Sequence, residues 1–330
     1  MNTQPYPRVV SFPAYFIALM TVLAAAVTAP TARASLLVYE GFNYGVANNT
    51  LLNTIDTSTS LAAPNGLQGN YGEGTPSVRY NTTGLSLGSL PISGGKTLLG
   101  NASGVAGVKV AGSTAAVTGD LFMSYVFNYT GTLSTNAFTV GVNTSAITAA
   151  NTAGRYFNVE AISADAGSTT AISYGNSYGT PANSGETLVA GTTYLMVAQF
   201  TNVGTALSVE NPGVATLWVL TAAQYNSFLS TGFSAAALNE ASIGATATNV
   251  YSRVTASQSS GTFDFNGSST VQYVFSSANS VIENFDELRI GTTLNDVLGI
   301  AAIPEPSTLT LSLGAAGLIF AGSRRFLARR

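Results

Sequence analysis

The chain contains no cysteine and no histidine. Without cysteine there is no disulfide, no thiolate nucleophile and no cysteine-based metal site. Without histidine there is no Ser-His-Asp triad and no histidine-ligated zinc. A chain of 330 residues does not need disulfides, because it is long enough to bury a substantial core. Carboxylates, hydroxyls and amides are therefore the main side-chain groups that could form a catalytic or binding site.

Charged residues are also scarce, at 8% of the chain, against roughly 25% in ordinary soluble domains. Their distribution is uneven. Residues 35–303 hold six basic and fourteen acidic residues, which gives this segment a net charge of −8. Surfaces that bind nucleic acid are basic, so the sequence predicts no nucleic-acid partner.

Small and neutral polar residues take the place of charged ones. Helix surfaces favour Glu, Lys, Arg and Gln, so a long-helix protein is disfavoured. Short apolar segments rich in β-branched and aromatic residues, separated by Gly, Asn and Ser, are typical of strands and turns. The sequence predicts an all-β protein whose residues 35–298 form an antiparallel β-sandwich.

Eight segments fit this strand pattern: Leu36–Phe42, Leu121–Tyr129, Ala137–Val142, Tyr156–Ile162, Thr193–Thr201, Ala215–Leu220, Thr270–Phe275 and Phe285–Ile290. The segment from Thr221 to Leu229 is instead helical in character, with Thr221 as its N-cap. Residues 43–75 and 231–261 show the weakest periodicity and are predicted to be loops.

Residues 1–34 are typical of a signal peptide. The apolar run from Tyr15 to Val27 is shorter than the roughly 20 residues that a membrane-spanning helix needs. Ala32 and Ala34 provide the small residues that signal peptidase requires, so cleavage would leave Ser35 as the first residue. This pattern predicts export through the translocon, and a retained membrane anchor is the alternative.

The other end of the chain has three parts. After a linker at residues 299–303 come Pro304, Glu305 and Pro306, then an uncharged apolar stretch from Thr308 to Ala321. This stretch is long enough for a thin or tilted membrane helix. Four arginines follow it, namely Arg324, Arg325, Arg329 and Arg330. The positive-inside rule places this basic tail in the cytoplasm and residues 35–298 outside.

The three-part terminus at 304–330 resembles the bacterial PEP-CTERM sorting signal. The resemblance implies that an exosortase processes the tail at the inner membrane. It also implies delivery of the protein to the cell surface or the extracellular matrix. An ordinary C-terminal anchor that contains Pro-Glu-Pro by chance is the alternative.

Three further segments are similar to concanavalin A-like, laminin-G-like jelly rolls of PEP-CTERM proteins. They are Leu37–Tyr44, the pair Tyr194–Phe200 and Ala215–Val219, and Phe285–Thr293. The resemblance implies a jelly roll in which the first and last strands pair side by side. It supports a fold better than a function.

The same scaffold also carries glycosidases, which place two carboxyls on one face of a strand. Strand alternation assigns one face to Glu283, Phe285, Glu287 and Arg289, and the other to Asn284, Asp286, Leu288 and Ile290. Glu283 and Asp286 then lie on opposite faces, so no catalytic pair is predicted. Arg289, two residues after Glu287, suggests an exposed salt bridge.

Lectin-like jelly rolls often bind Ca²⁺ through acidic and amide oxygens. The oxygen donors near predicted strand ends are Glu40, Asp264, Asn266 and Asp286. No cofactor is required by the sequence, and Ca²⁺ through these residues is one hypothesis. The alternative for Asp264 and Asn266 is a hairpin turn, because Asn266-Gly267 is a hairpin signal.

Exposed aromatic rings are the usual stacking platforms for sugars. The candidates are Tyr71, Tyr174 and Tyr178, of which the last two flank a loop-like Gly-Asn-Ser segment. Trp218 alternates with Thr216 and Leu220 on a strand and is predicted to be core. Three functional hypotheses remain open. They are a non-catalytic surface or matrix protein for adhesion or packing, a lectin-like module for extracellular polysaccharide, and a polysaccharide-active enzyme. The prediction is the first, without enzymatic activity.

Overall fold

Two antiparallel sheets account for most of the residues that the structure describes. The computed structural model describes residues 36–61, 66–73, 78–100, 103–131, 139–143, 155–164, 167–174, 177–178, 187–276 and 282–300. The predicted signal peptide with Ser35 and the sorting tail from Pro304 to Arg330 lie outside the described residues. No helix in the described part is long and apolar enough to cross a membrane.

Fifteen strands are described, in chain order. They are β1 Leu36–Glu40, β2 Leu67–Glu73, β3 Arg79–Asn81, β4 Lys96–Gly100, β5 Ser103–Val110, β6 Gly119–Thr130, β7 Thr139–Asn143, β8 Arg155–Ala164, β9 Gly167–Tyr174, β10 Ser177–Tyr178, β11 Tyr194–Val203, β12 Gly213–Thr221, β13 Ser252–Gln258, β14 Thr270–Ser276 and β15 Ile282–Gly291. The helices are α1 Ala222–Thr231, α2 Ala235–Glu240 and α3 Leu294–Val297. Short 3-10 turns occupy Leu52–Thr54 and Thr57–Thr59.

The first sheet has the strand order β13-β12-β11-β6-β15-β4-β3, and β1 also pairs with β15. The second sheet has the order β10-β9-β8-β7-β14-β5-β2. In the first sheet, Val38 of the first strand pairs with Ile290 of the last strand. This is the side-by-side pairing that was expected from the resemblance, and the all-β sandwich is confirmed.

The main core lies between the two sheets. Tyr125 and Phe127 of β6 contribute to it from the first sheet, and Val142 and Tyr273 from the second. Burial of such apolar side chains stabilises the fold by about 25 cal/mol per Å² of apolar surface removed from water. The two sheets therefore share one continuous apolar interior.

A second apolar cluster lies on the other side of the first sheet. There, α1, α3 and residues 82–95 pack over Val126, Val197 and Trp218. Helix α1 is the helix that was predicted. Thr221 caps it and forms a reciprocal capping box with Gln224, while Tyr225 and Phe228 point into the cluster. We call residues 82–95, which join β3 to β4, the covering loop.

All eight predicted strand segments overlap described strands, with altered ends. The two segments predicted to be loops are only partly loops. Segment 43–75 contains β2, and segment 231–261 contains α2 and β13. In β13, the inward residues include Val254 and Ala256 between polar neighbours. Such small inward residues give a weak alternation, and pairing with β12 provides the stability that the local sequence lacks.

Candidate functional site

The last strand, β15, contains a β-bulge at Glu287, and the bulge decides which face each acid occupies. The pairing of β15 with β6 shifts between Asp286 and Arg289. Glu287 itself has a φ of 56°, in the left-handed region that non-glycine residues seldom adopt. One inserted residue reverses the alternation of side chains along a strand.

The face assignment made from regular alternation is therefore wrong beyond Asp286. Leu288 and Ile290 join Phe285 in the core. Asp286 and Arg289 both contact the covering loop instead, through the N–H of Leu85 and the carbonyl of Pro91 respectively. The apolar residues Phe285, Leu288 and Ile290 are spaced by three and then by two residues, and this break in the alternation is the signal in the sequence for the inserted residue.

The two adjacent acids of the bulge tie down the covering loop. Asp286 Oδ2 accepts the N–H of Leu85 at 2.8 Å, and Glu287 Oε1 accepts the N–H of Ser93 at 2.6 Å. Burial raises the pKa of Asp286 to about 8, although the hydrogen bond from Leu85 opposes the shift. Burial also raises the pKa of Glu287, and the charge of Arg289 opposes that shift. These carboxyls act as anchors for main-chain groups.

The ion pair between Glu287 and Arg289 is buried, which corrects the prediction of an exposed salt bridge. Arg289 Nη2 lies 2.8 Å from Glu287 Oε2, and the two side chains are 6% and 1% exposed. The same Nη2 donates to the carbonyl of Pro91 at 2.6 Å. The guanidinium carbon lies 5.4 Å from the ring centroid of Tyr39, a cation–π distance. The covering loop excludes water from this pair.

Glu40, at the end of β1, lies within the core. Its Oε1 accepts the N–H of Phe42 at 2.7 Å, and its Oε2 accepts the hydroxyls of Tyr44 and Tyr71. Tyr71 belongs to β2, so this carboxyl joins the first sheet to the second. Burial raises the pKa of Glu40 to about 7, against the opposing effect of its three hydrogen-bond donors.

Glu283 is the fourth buried acid of this region. It is 1% exposed, and neither of its carboxyl oxygens has a hydrogen-bond partner among the described residues. Burial alone raises its pKa to about 8. Because an ionised carboxylate without a partner is very costly in an apolar interior, Glu283 carries a proton at neutral pH.

These four acids are sealed from solvent. Glu40 and Asp286 have no exposed surface, and Glu287 is 1% exposed. Glycosidase carboxyls must reach both the scissile bond and a water molecule. The geometry of Glu40, Asp286 and Glu287 suits a different task, which is to hold the covering loop, the first strand and the last strand together.

The residues expected to bind Ca²⁺ do not converge. Glu40 bonds to core tyrosines, whereas Asp286 bonds to the covering loop. Asp264 is exposed on another connection, where the neighbouring Phe265 carbonyl bonds to the N–H of Val117. Within the described segments, no three acidic side chains are grouped closely enough to hold a metal ion.

Asn266 forms the turn that was the alternative to a metal site. Its Oδ1 accepts the N–H of Ser268 at 2.7 Å, as in an Asx-turn. The turn is not part of a hairpin, however. It precedes β14 of the second sheet, whereas the preceding strand, β13, belongs to the first sheet. The Asn-Gly signal therefore marked a crossover between sheets.

The prediction that Tyr174 is an exposed stacking platform is wrong. Tyr174 is fully buried and donates to the carbonyl of Thr201 at 2.8 Å. It packs against Phe157 and Phe263, so it is not available to stack on a sugar. Tyr71 is also buried, where it bonds to Glu40. The side chain of Tyr178 lies outside the described part. Trp218 is core as predicted, and its Nε1 donates to Asn239 at 3.1 Å.

A strip of polar side chains crosses the outer face of the first sheet beyond the α1–α3 cluster. Asn284 pairs in register with Asn128 on one side and with Leu98 on the other, and Leu98 pairs with Arg79. Asn284 Nδ2 lies 3.4 Å from Asn128 Oδ1, and Asn128 Nδ2 lies 3.4 Å from Thr193 Oγ1. We call this surface the amide strip, and its residues are Thr193, Asn128, Asn284, Leu98, Lys96 and Arg79.

No protein-family model matches the sequence, and no curated protein matches it. Among solved structures, the carbohydrate recognition domain of Emp47p is similar at 7% identity and a TM-score of 0.39, over 81% of this chain and 100% of that chain. The globular domain of T. cruzi calreticulin is similar at 8% identity and a TM-score of 0.42, over 87% of this chain and 99% of that chain.

Lectin I-B4 from Griffonia simplicifolia is similar at 10% identity and a TM-score of 0.36, over 68% of this chain and 93% of that chain. These likenesses are low in both identity and TM-score. The fold is therefore defined by the strand order and strand pairings of this chain.

Sequence reasoning missed both the Glu40–Tyr71 link and the amide strip. A signal for the strip existed, because Asn128 lies between the inward aromatics Phe127 and Tyr129 and must face outward. The register that brings it beside Asn284 is a tertiary property. The link had no comparable signal, because Glu40 and Tyr71 are 31 residues apart.

Proposed function

We propose that this protein is an exported, exosortase-sorted surface or matrix protein whose concanavalin A-like sandwich binds extracellular polysaccharide without cleaving it. The observation that carries this proposal is the neutral polar chemistry of the outer face of the first sheet. Thr193, Asn128 and Asn284 lie on one side of the α1–α3 cluster. On the other side, Thr255, Thr216 and Gln199 are paired in register.

These side chains suit a polyhydroxylated ligand. Amides and hydroxyls both donate and accept hydrogen bonds, as sugar hydroxyls require. Adjacent strands are about 4.8 Å apart, so each row offers such groups at a regular spacing to an extended chain. Such an interface makes many hydrogen bonds. It is specific because each donor or acceptor that the ligand covers must find a partner on the ligand.

The placement of three acids supports binding without cleavage. Glu40, Asp286 and Glu287 accept hydrogen bonds from their own chain and are buried. The signal peptide at 1–34 and the tail at 304–330 support the export and sorting part of the proposal.

Affinity electrophoresis tests the binding proposal. The full chain, expressed with its own signal and tail and recovered from envelope or medium, is run through native gels with and without dissolved polysaccharide. We expect retardation by at least one polysaccharide, with EDTA and added Ca²⁺ run in parallel. Self-association in sedimentation velocity without retardation would instead favour adhesion or packing between copies. Release of reducing sugar would contradict the non-catalytic part.

A further inference from the structure

The geometry points to the amide strip as the binding surface and to an acidic polysaccharide, such as a uronic-acid polymer, as its ligand. This inference rests on the proposed function and deepens it. The strip combines three kinds of group in one line across the sheet: amides, an aliphatic side chain and two cations.

The amide end has hydrogen-bonding capacity to spare. Asn284 and Asn128 are joined at 3.4 Å, and Asn128 and Thr193 at 3.4 Å, which is long for a side-chain hydrogen bond. Each amide provides two donors and an acceptor oxygen, so these contacts use only part of its capacity. Asn128 and Thr193 are partly exposed, whereas Asn284 is buried, at 7% exposed. A ligand hydroxyl can therefore replace a weak contact with a shorter one.

The cation end is formed by Arg79 of β3 and Lys96 of β4. Arg79 pairs with Leu98, and Lys96 lies two residues before Leu98 on the same face. Both cations are partly exposed, and within the described residues neither forms an ion pair. Arg79 Nη1 donates to the carbonyl of Asn49 at 3.0 Å, which orients the guanidinium and leaves its charge uncompensated.

This pairing of cations is unusual for the chain. Residues 35–303 hold only six basic residues, and the strip has two of them on adjacent strands. By contrast, Arg289 is buried against Glu287, and Arg253 donates to main-chain carbonyls near the end of α2. Arg79 and Lys96 are thus poised for an anionic group from outside the chain.

The net charge of −8 over residues 35–303 opposes an anionic ligand at long range. At physiological ionic strength, however, exposed charges are screened beyond about 8 Å, so the nearest charges dominate. Burial lowers the pKa of Lys96, and the nearby Asp286 opposes that shift. The Asp286 oxygens themselves accept the N–H of Leu85 in the covering loop and the N–H of Glu287 in β15. Leu98 lies between the cations and the amides and offers an apolar contact to the carbon face of a sugar ring.

The experiment uses the full exported chain and two probes, polygalacturonate as the acidic polymer and hydroxyethylcellulose as a neutral one. The variants are Arg79→Gln/Lys96→Gln, which removes both charges, and Asn128→Ala/Asn284→Ala, which removes both amides. Lys109→Gln is the matched control, because Lys109 is exposed on β5 of the second sheet. Circular dichroism melting checks that each variant folds.

We expect polygalacturonate to retard the wild type, and 1 M NaCl to weaken the effect. The charge variant should bind polygalacturonate roughly five- to thirtyfold more weakly, the loss expected for two exposed ion pairs. The amide variant should also weaken binding, and the control should not. Unchanged affinity in both folded double variants would overturn the site but not the proposed function. Retention by the neutral polymer alone would overturn the acidic ligand, and no retention by any polysaccharide would overturn the proposed function itself.

Discussion

The carboxylate of Glu40 accepts a hydrogen bond from the hydroxyl of Tyr71 at 2.5 Å in the core. Glu40 ends the first strand of one sheet, and Tyr71 lies on the first strand of the other. The same oxygen accepts the hydroxyl of Tyr44, which itself lies 3.1 Å from the Tyr71 hydroxyl. A single buried carboxyl therefore fixes the two sheets to each other.

Removal of the Tyr71 hydroxyl should destabilise the sandwich. In Tyr71→Phe, the Glu40 carboxyl loses a donor that no water can replace, at a cost of about 1–3 kcal/mol. Urea unfolding measures the change. Tyr225→Phe is the matched control, because its hydroxyl makes only a long contact of 3.4 Å to the Leu298 carbonyl. Equal losses in both variants would argue against a special role for the link.

The stability of the protein should fall as the pH rises from 5 to 8.5. Glu40 has a folded-state pKa of about 7 and Glu283 of about 8, both raised from 4.5. The folded state therefore holds protons that the unfolded state releases above pH 4.5. The stabilisation is complete below that pH and is lost as the pH rises through the folded pKa values. For Glu40 alone the loss is about 3 kcal/mol, and constant or rising stability over this range in urea titrations would contradict it.

Glu283→Gln should flatten this pH profile. The amide cannot ionise, so the variant avoids the proton linkage that weakens the wild type at high pH. We expect little change at pH 5 and a gain on the order of 3 kcal/mol at pH 8.5. Glu210→Gln, at an exposed position, serves as the control and should leave the profile as it is. A uniform shift at all pH values would mean that packing, not ionisation, explains the effect.

Arg289→Gln should cost about 3–5 kcal/mol, because it leaves the buried carboxylate of Glu287 without its cation. An exposed pair would cost only about 0–1 kcal/mol, so chemical denaturation separates the two cases. The double variant Glu287→Gln/Arg289→Gln should be less damaging than the single change. Strong dependence of the loss on salt would contradict burial of the pair.

Replacement of Pro304, Glu305 and Pro306 by alanine tests the sorting proposal. If an exosortase recognises this motif, the variant should remain unprocessed in the inner membrane. Immunoblots of membrane, envelope and medium fractions follow the size and location of the chain. Alanine at Ser307 and Thr308, just beyond the motif, is the matched control. The same processing and location for wild type and motif variant would count against an exosortase.

Local sequence patterns predicted the structure correctly where a few consecutive residues decide it. Thr221 and Gln224 form the predicted helix start, because a capping box needs only four consecutive residues. Trp218 is buried as predicted, but in the second apolar cluster on the outer face of the first sheet and not between the sheets. At Glu287 the same reasoning failed, since the bulge exists only through the pairing of β15 with β6. The prediction that Tyr174 is exposed was wrong for a related reason, because the aromatic residues that bury it come from other parts of the chain.

The sequence by itself determined the class of the protein. Its scarcity of charge, its lack of cysteine and histidine, and its short apolar segments indicate a sparsely charged, acidic β-sandwich without cysteine or histidine chemistry. Only the tertiary structure decided where the acids and amides lie. A carboxyl becomes an internal anchor or a surface group according to what packs over it, and an amide becomes part of a strip according to strand register. Both depend on contacts between residues far apart in the chain, which local composition and periodicity do not encode.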